Sequence, residues 1–440
     1  MVMKTGKDGV VGRGIRLGKL GFGLVGSYMS YQAQNLLLGE SNQNQRQARF
    51  QQKASRRVRE ELGALKGPVM KLGQMLSMQT EMLPEQALAE LANLQMRAPG
   101  MHPSLARAQF KSSLGKYPED VFREFGDEPF AAASLGQVHL ATTRDGEKVA
   151  VKIQYPAIRE AIENDFKLLR SATFPGQLTG HVPTALLDEV QRGILEETDY
   201  LREADNLEFF AKGLSHFDYV SVPRVRRELS TDRVLTMSFI EGEPLSEILK
   251  RKPSQAARDL LGARLCEIFE IQLHRLQAVH ADQHPGNYIF QANGRFGLID
   301  FGCVKRVSLD IGELHRAYRG RVWQKSDAAA RQFLRMIYGP TVPYARGKKI
   351  LPIFDKWCDE FYPKDPNEDI IIDFAKDPRW SGKMKEIQSE LMKRTFRDKL
   401  INPEFAFVTR ADIGIRYLLK EIQAKINLSE IIRRVTGSEV

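Results

Sequence analysis

The sequence predicts an α+β fold in which a strand-rich segment lies between two helical regions. Two pairs of short apolar runs flank dipeptides typical of β-hairpin turns, Asp145-Gly146 and Asn293-Gly294. The apolar residues of the flanking segments, from 55 to 125 and beyond Leu309, have helical spacing. A chain of 440 residues, 42% hydrophobic and 27% charged, is long enough to form two lobes with substantial cores.

The first hairpin contains a lysine suited to phosphate binding. The strand after its turn reads Val149-Ala150-Val151-Lys152-Ile153. This resembles a V-A-I-K strand, whose lysine holds the α and β phosphates of a nucleotide and pairs with a helix glutamate. A lysine at the end of an apolar strand is more often a solvated edge charge. The phosphate-binding role predicted for Lys152 therefore depends on the motifs around it.

A loop of small residues precedes this hairpin and aligns with a glycine-rich nucleotide loop. Against the pattern G-x-G-x-x-G-x-V, it keeps the third glycine and the valine but has alanine at the first two glycine positions. Glycine lets backbone amides approach phosphate closely and alanine restricts this, so we expect a nucleotide covered in altered geometry. The expected contact residues are Ala131, Ala132, Ala133, Ser134, Gly136 and Val138.

The second hairpin lies between two motifs typical of phosphoryl transfer. The stretch His280–Asn287 has the spacing H-x-D-x-x-x-x-N, and Asp300-Phe301-Gly302 follows thirteen residues after Asn287. In this chemistry Asp282 accepts the proton of the attacking hydroxyl, while Asn287 and Asp300 hold Mg²⁺ over the phosphates of ATP. The hairpin would bring these two ligands to the same end. Each motif alone occurs by chance in many proteins, so their order and spacing determine the prediction.

An acidic stretch contains the expected partner of Lys152. If residues 195–204 form one helix, Glu196, Asp199 and Glu203 share a face and Glu197 lies well round the helix from them. Acidic runs on helices usually form solvated surface.

A further β-rich run predicts the connection between the two lobes. Residues 233–242 end in Glu241-Gly242, where the backbone beside Glu241 would hydrogen-bond adenine. In most proteins such a run is simply a core strand. No A-P-E sequence follows residue 302, which argues against the docking of a protein substrate.

These motifs together resemble the UbiB family of atypical kinase-like proteins, which includes the ADCK proteins. The chain also has the family's K-x-G-Q, at Lys71-Leu72-Gly73-Gln74, and its E-x-D, at Glu197-Thr198-Asp199. The resemblance covers roughly residues 55 to 305. It implies a protein-kinase-like two-lobed fold with an N-terminal helical extension and a predominantly helical C-lobe. The corresponding divisions are a basic arm (1–54), the helical extension (55–125), the N-lobe (126–240) and the C-lobe (241–440).

The resemblance also implies roles for the additional motifs. In such proteins the extension occludes the substrate cleft, and the K-x-G-Q lysine reaches the active site near the E-x-D acids. Lys71 then joins Lys152 and Asp282 as a catalytic candidate, and Glu203 is the partner of Lys152. The expected nucleotide or metal contacts are Gln74, Glu197 and Asp199. Lys71 and Gln74 are three residues apart and share a helix face, which allows this role. The residues alone favour another interpretation, a Met- and Leu-rich packing helix with a snorkelling lysine.

Positive charge is concentrated in the first 70 residues, which hold 12 Lys/Arg and 4 Asp/Glu and so +8 of the overall +10. The segment Ile15–Leu38 mixes apolar, aromatic and basic residues and suits an interfacial membrane helix. A flexible, partly buried arm is an equal alternative. Nucleic acid is excluded as a partner because the motifs of such binders are missing. Three separated cysteines predict a reducing compartment, and the sequence has no apolar run of about 18 residues that would predict a transmembrane helix. The expected location is cytoplasmic, and peripheral on the inner face of the membrane if the arm binds lipid.

The predicted function is that of an ATP- and Mg²⁺-dependent atypical kinase or ATPase. The resemblance links it to isoprenoid-quinone (ubiquinone) biosynthesis, with a lipid or quinone precursor and the enzymes of that pathway as partners. An alternative is a nucleotide-gated lipid-binding or chaperone-like module with little turnover, which the alanine-rich loop favours. An aminoglycoside-type phosphotransferase shares H-x-D-x-x-x-x-N but does not account for K-x-G-Q.

Overall fold

A computed structural model describes residues 101–437, apart from 134, 179–183, 323–324, 340–342, 362, 364, 366–367, 378–389 and 391–401. The predictions for the arm 1–54, most of the helical extension, Lys71, Gln74 and Ser134 lie outside these residues. The chain forms two compact units. The first contains the residues up to Asp205 together with Val225–Phe239, and the second contains Asn206–Arg224 and the residues from Ile240 onward.

The described part of the first unit contains five strands and four whole helices. Its strands are β1 (Phe122–Phe125), β2 (Ala131–Ala133), β3 (Gly136–Thr143), β4 (Lys148–Gln154) and β6 (Val234–Ser238). Its helices are α1 (Pro103–Leu114), α2 (Pro118–Val121), α3 (Ile158–Leu178) and α4 (Thr184–Glu196), with a 3₁₀ turn at Arg227–Leu229. The division between the units falls within α5 (Tyr200–Gly213).

The strands of the first unit form one antiparallel sheet in the order β1-β3-β4-β6, with β2 also paired to β3. Gly146 adopts φ +90° in the turn between β3 and β4, so the hairpin predicted at Asp145-Gly146 is confirmed. Valines of β4 and β6 face a buried core with α1, formed by Phe110, Phe122, Val149, Val151 and Val234.

Strand β1 differs from the helix predicted up to residue 125. Phe122 is buried, and the ring of Phe125 stacks on His139 of β3 with centroids 4.9 Å apart. These contacts require an extended backbone paired with β3, so tertiary packing outweighs the helical pattern. The part of this segment before β1 is helical, since α1 begins at Pro103.

A chain of buried polar side chains crosses the first unit, and the sequence did not indicate it. The Met101 N–H donates to Gln137 Oε1 (2.6 Å), Gln137 Nε2 donates to His139 Nε2 (2.7 Å), and His139 Nδ1 donates to the Gly126 carbonyl (2.8 Å). A carbonyl can only accept, so the His139 proton lies on Nδ1 and the ring is neutral. Burial correspondingly lowers the pKa of His139.

The second unit is predominantly helical. Its helices after α5 are α6 (Leu245–Lys250), α7 (Gln255–His274), α8 (Ile311–Val322), α9 (Asp327–Tyr338), α10 (Tyr344–Gly347), α11 (Leu351–Phe361), α12 (Pro403–Ile422) and α13 (Leu428–Thr436). Its strands are β5 (Val220–Ser221), β7 (Ala278–His280), β8 (Tyr288–Phe290), β9 (Phe296–Leu298), β10 (Val304–Arg306), β11 (Ile371–Asp373) and β12 (Lys425–Asn427). The 3₁₀ turns are Pro285–Asn287, Ala292–Gly294 and Lys348–Ile350.

Helix α7 forms the centre of this unit, because almost every side chain of its C-terminal half is buried. It packs against α12, α13, β7 and β12. Gly262 is required there, since a Cβ would lie 2.3 Å from the Cβ of Ala424. Among the described helices, none is both long enough and apolar enough to cross a membrane.

Three small sheets surround this helix. Strands β8 and β9 form the predicted antiparallel hairpin, whose turn has Asn293 at φ +59° and Gly294 at φ +67°. Strand β5 pairs in parallel with β9, β7 pairs with β10, and β11 pairs with β12. The pairing of β5 explains why residues 206–224, predicted within the N-lobe, belong to the second unit.

Candidate functional site

In the first unit Lys152 forms a buried ion pair with Glu203 of α5. Lys152 Nζ donates to both carboxylate oxygens, at 2.8 and 2.9 Å, and the residues are 7% and 2% exposed. Lys152 lies on β4, where its backbone is paired on one side with Val138 of β3 and on the other with Leu235 of β6. The Nζ also lies 5.1 Å from the ring centroid of Tyr200, a cation–π contact. The structure thus brings together the lysine and glutamate that the family resemblance pairs.

The helix predicted over residues 195–204 is interrupted. Helix α4 ends at Glu196, a turn follows, and α5 begins at Tyr200. Asp199 Oδ1 accepts hydrogen bonds from the backbone N–H groups of Leu201 (3.1 Å) and Arg202 (3.2 Å). Asp199 therefore caps the start of α5 and does not share a helix face with Glu203. Glu197 is buried in the turn.

The alanine-rich segment is a strand followed by a turn. Ala131, Ala132 and Ala133 pair with Val138, Gln137 and Gly136 of β3. A Cβ on Gly136 would lie 2.2 Å from the backbone oxygen of Ile153 on β4. The third glycine of the pattern is therefore needed for the close approach of two strands, and not for phosphate binding alone.

In the second unit, the loop His280–Asn287 ends in a 3₁₀ turn that fixes Asn287. Asn287 Nδ2 donates to the Asp282 carbonyl at 2.9 Å, and the Ile299 N–H donates to the Asn287 carbonyl at 3.1 Å. The second bond extends the β8–β9 pairing by one position. Asn287 and Asp300 accordingly lie at the same end of the hairpin, as the sequence predicted. Glu241 is exposed, and its carbonyl accepts a hydrogen bond from Gln291 at 2.6 Å.

The backbone of Asp300-Phe301 is held by two side chains. His280 Nε2 donates to the Asp300 carbonyl, and Asn206 Nδ2 donates to the Phe301 carbonyl at 3.0 Å. The Phe301 ring is fully buried, with its centroid 4.8 Å from that of Phe210. Asp300 Oδ1 accepts from the Gly302 N–H at 3.0 Å, which orients the carboxylate. The position of Asp300 is thus set by its backbone.

Sequence reasoning missed the residues that support this loop. Gln272 Oε1 accepts from the His280 N–H (2.9 Å), and Gln283 Nε2 donates to the His280 carbonyl (2.5 Å). The Tyr288 hydroxyl donates to Gln283 Oε1, and burial raises the pKa of Tyr288. An available signal was Gln272 within the run Ile271-Gln272-Leu273, because an amide in an apolar helix needs a buried partner.

The donor set suits Mg²⁺, which prefers oxygen ligands. Asn287 uses its amide nitrogen for the Asp282 carbonyl, which leaves the amide oxygen as the ligand atom. Asp300 supplies a carboxylate. Within the described parts of the chain, no group of three or more His, Cys, Asp or Glu side chains could itself hold a metal. A metal held by Asn287 and Asp300 would complete its shell with nucleotide phosphates and water.

Comparison with known proteins identifies relatives of this chain. The model of the ABC1 atypical kinase-like domain matches residues 93–320. AarF domain-containing protein kinase 1 of Mus musculus is 33% identical over 276 residues, 62% of this chain and 52% of that protein. The Probable protein kinase UbiB of Aeromonas hydrophila is 35% identical over 228 residues, 50% of this chain and 42% of that protein. The chain thus spans about half, or less, of the length of these curated relatives.

A solved structure is also similar. It is the complex of Rv3197 with erythromycin from Mycobacterium tuberculosis, at a TM-score of 0.59 and 28% identity, covering 89% of this chain and 98% of that one. It confirms the kinase-like α+β fold predicted from the sequence. The family match, which extends over more than half of the 440 residues, confirms the resemblance drawn from the motifs. The chain belongs to the ABC1 family of atypical kinase-like proteins, the family of its AarF and UbiB relatives.

Proposed function

We propose that this protein is an ATP- and Mg²⁺-dependent atypical kinase or ATPase of the UbiB type that supports isoprenoid-quinone biosynthesis. The observation on which this depends is the placement of Asn287 and Asp300 at one end of the β8–β9 hairpin, with Asp282 bonded to Asn287 through its carbonyl. An amide oxygen and a carboxylate so placed suit a Mg²⁺ ion bound to nucleotide phosphates.

Each candidate residue has a separate proposed role. Asp282 accepts the proton of the attacking hydroxyl or water. Lys152, oriented by Glu203, holds the α and β phosphates. The alanines of β2 and Val138 of β3 cover the nucleotide, and the backbone beside Glu241 binds adenine. Glu197 and Asp199 are the proposed partners of the K-x-G-Q residues Lys71 and Gln74.

A small molecule or lipid is the favoured phosphoryl acceptor. The chain lacks the A-P-E sequence with which protein kinases support a peptide-docking loop. The solved relative is described in complex with erythromycin, a small molecule. The names of the curated relatives include protein kinase, so a protein acceptor is the competing proposal.

The quinone role and the location follow from the UbiB likeness and the basic arm. We propose a cytoplasmic protein, peripheral on the inner face of the membrane, with residues 1–54 as the contact. A lipid or quinone precursor and the enzymes of quinone biosynthesis are the proposed partners. Co-sedimentation with anionic vesicles should be lost on deletion of residues 1–40, and equal pelleting of both forms would remove the membrane contact.

A second candidate function is a nucleotide-gated lipid-binding or chaperone-like module with little turnover. The observation that favours it is the alanine strand β2, together with the packing requirement that explains Gly136. Since strand packing alone can account for Gly136, fewer residues of the alanine-rich segment point specifically to phosphate binding.

Melting and hydrolysis measurements separate the two candidates. Mg²⁺-ATP at a hundred times its Kd should increase the free energy of unfolding of the wild type by about 2.7 kcal/mol. The melting temperature should rise accordingly. Steady hydrolysis that disappears in Asp282→Asn, with binding retained, supports the kinase or ATPase. Binding without hydrolysis in the wild type supports the module, and no shift with Mg²⁺-ATP contradicts both. The quinone role is tested by profiling quinone precursors in a deletion strain that carries the wild type or Asp300→Asn.

A further inference from the structure

Two of the described turns share one capping arrangement. In His102-Pro103-Ser104 and in His284-Pro285-Gly286, the imidazole Nδ1 accepts the backbone N–H two residues later, at 3.3 and 3.1 Å. The backbone angles are also similar, with φ −58° and ψ 140° at His102 and φ −68° and ψ 136° at His284. One histidine caps an ordinary surface helix, and the other lies in the loop of Asp282 and Asn287.

The cap fixes which nitrogen of the neutral His284 ring carries the proton. A backbone N–H can only donate, so Nδ1 must be unprotonated and the proton of the neutral ring lies on Nε2. At His102, Nδ1 also contacts Ser104 Oγ at 2.8 Å. In the described part of the chain, the one hydrogen bond of the His284 ring is that to Gly286. The residue is exposed, so Nε2–H remains a donor for a ligand.

A side chain at position 286 would crowd this ring. A Cβ on Gly286 would lie 3.0 Å from His284 Nδ1 and 3.4 Å from Cε1. Its φ does not lie in the left-handed region, so the backbone itself would accept alanine. The glycine therefore gives the imidazole room to sit over the turn.

We propose, on the basis of the function proposed above, that His284 is a catalytic residue whose Nε2–H donates to an oxygen of the phosphoryl group in transfer. His284 follows Asp282 by two residues and precedes Asn287 by three, within a loop closed by the Asn287–Asp282 bond. A preoriented donor at oxygens that gain charge in the transition state lowers the barrier.

The step balances without any change in the charge of His284. The bond from the γ phosphorus to the β–γ bridging oxygen breaks, and the electron pair leaves with ADP. The bond from the acceptor oxygen to phosphorus forms, and the acceptor proton passes to Asp282. His284 keeps its Nε2 proton throughout and contributes a hydrogen bond.

Paired substitutions separate this role from simple capping. Asparagine is a good N-cap, so His284→Asn keeps the acceptor for the Gly286 N–H, while its shorter amide places no donor at the position of Nε2–H. We expect turnover of Mg²⁺-ATP to fall roughly 100-fold, the typical effect of losing one such donor, with KM and melting temperature little changed. His102→Asn is the matched control and should leave turnover unchanged. Gly286→Ala should lower turnover by displacing the ring, with little further loss when combined with His284→Asn.

A spectroscopic measurement tests the contact independently of turnover. The protein has eight histidines, so ¹⁵N-histidine labelling gives few signals and His284→Asn identifies one of them. The proposal requires an Nε2–H tautomer, whose Nε2 signal shifts when Mg²⁺-ADP and aluminium fluoride, a mimic of the phosphoryl group in transfer, are added. Nucleotide binding without this shift, or wild-type turnover in His284→Asn, overturns the role of His284 alone. Failure of the wild type to bind nucleotide overturns the proposed function, and this inference with it.

Discussion

The two units hold their candidate site residues by different physical means. In the first unit, Lys152 and Glu203 are buried and satisfy each other's charge through two hydrogen bonds. In the second unit, Asn287 and Asp300 are oriented by bonds to the backbone, and both residues are partly exposed. The first arrangement ties a functional group to folding stability, because either charge left alone is costly. In the second, each side chain is oriented by a hydrogen bond to its own loop, and the loss of such a bond costs less.

The largest effect on stability is expected from Glu203→Ala. The substitution leaves the Lys152 ammonium buried without its carboxylate, which should lower the free energy of unfolding by about 3–5 kcal/mol. The measurement is denaturation by urea, with the exposed pair Glu430–Arg434 as control, where Glu430→Ala should cost less than about 1 kcal/mol. The double variant Lys152→Met/Glu203→Leu should recover most of the stability but should not bind nucleotide. Equal effects of Glu203→Ala and Glu430→Ala would remove the contrast between a buried and an exposed pair.

A second effect should follow from Gly136→Ala. The added Cβ meets the backbone oxygen of Ile153 at 2.2 Å, and strands β3 and β4 must separate, at a cost of about 1–3 kcal/mol. Gly146→Asn, in the open turn of the same hairpin, is the control and should cost less, because asparagine tolerates a positive φ. Urea denaturation of both variants measures the difference. A Gly136→Ala protein of wild-type stability that no longer binds ATP would assign this glycine to phosphate and not to the sheet.

The buried His139 predicts a pH dependence for the first unit. Burial lowers the pKa of His139 in the folded state. Below about pH 6.5 this histidine is therefore protonated in the unfolded chain but not in the folded chain. This contribution to stability is full above about pH 6.5. It declines by at most about 1.4 kcal/mol per pH unit as the pH falls, until the folded state is protonated as well. His139→Phe should flatten the stability profile between pH 5 and 6.5 relative to the wild type. Parallel profiles would show that the pKa of His139 is the same in the folded and unfolded states, and would contradict the lowered value.

A smaller effect is expected from Asn206→Ala in the second unit. The Phe301 carbonyl loses its donor, which should cost about 1 kcal/mol, since water replaces part of the bond. The functional effect should exceed the effect on stability, because Asp300 loses one of the two side chains that hold its backbone. The readouts are urea denaturation and the Mg²⁺-dependent shift in melting temperature. Loss of stability with an unchanged Mg²⁺-ATP response would show that Asn206 has only a structural role.

Motif spacing predicted the parts of the site whose chemistry fixes their separation along the chain. The β8–β9 hairpin, Asn287 beside Asp300, and the lysine on an internal strand of the first sheet were all accessible in this way. The helix break at residues 197–199 could not be predicted, because the spacing of the acidic residues fits a continuous helix equally well. Asp199 can be identified as a cap only when it is known that α5 begins at Tyr200. Strand β1 and the Gln137–His139 chain depend on partners far along the sequence. Such contacts leave no local pattern.

Asp300 is proposed to bind the metal of a nucleotide, on a loop whose backbone is held by the side chains of His280 and Asn206. The most direct test is titration calorimetry of ATP, with and without Mg²⁺, on the wild type and Asp300→Asn. Asparagine can keep the bond to the Gly302 N–H, and urea denaturation of the variant shows whether it folds as the wild type does. Asp373→Asn removes a carboxylate with a similar turn bond, to the Ala375 N–H, and serves as the matched control. We predict Mg²⁺-dependent binding in the wild type and in Asp373→Asn, and none in Asp300→Asn. Equal Mg²⁺-dependent binding by all three proteins would contradict the account.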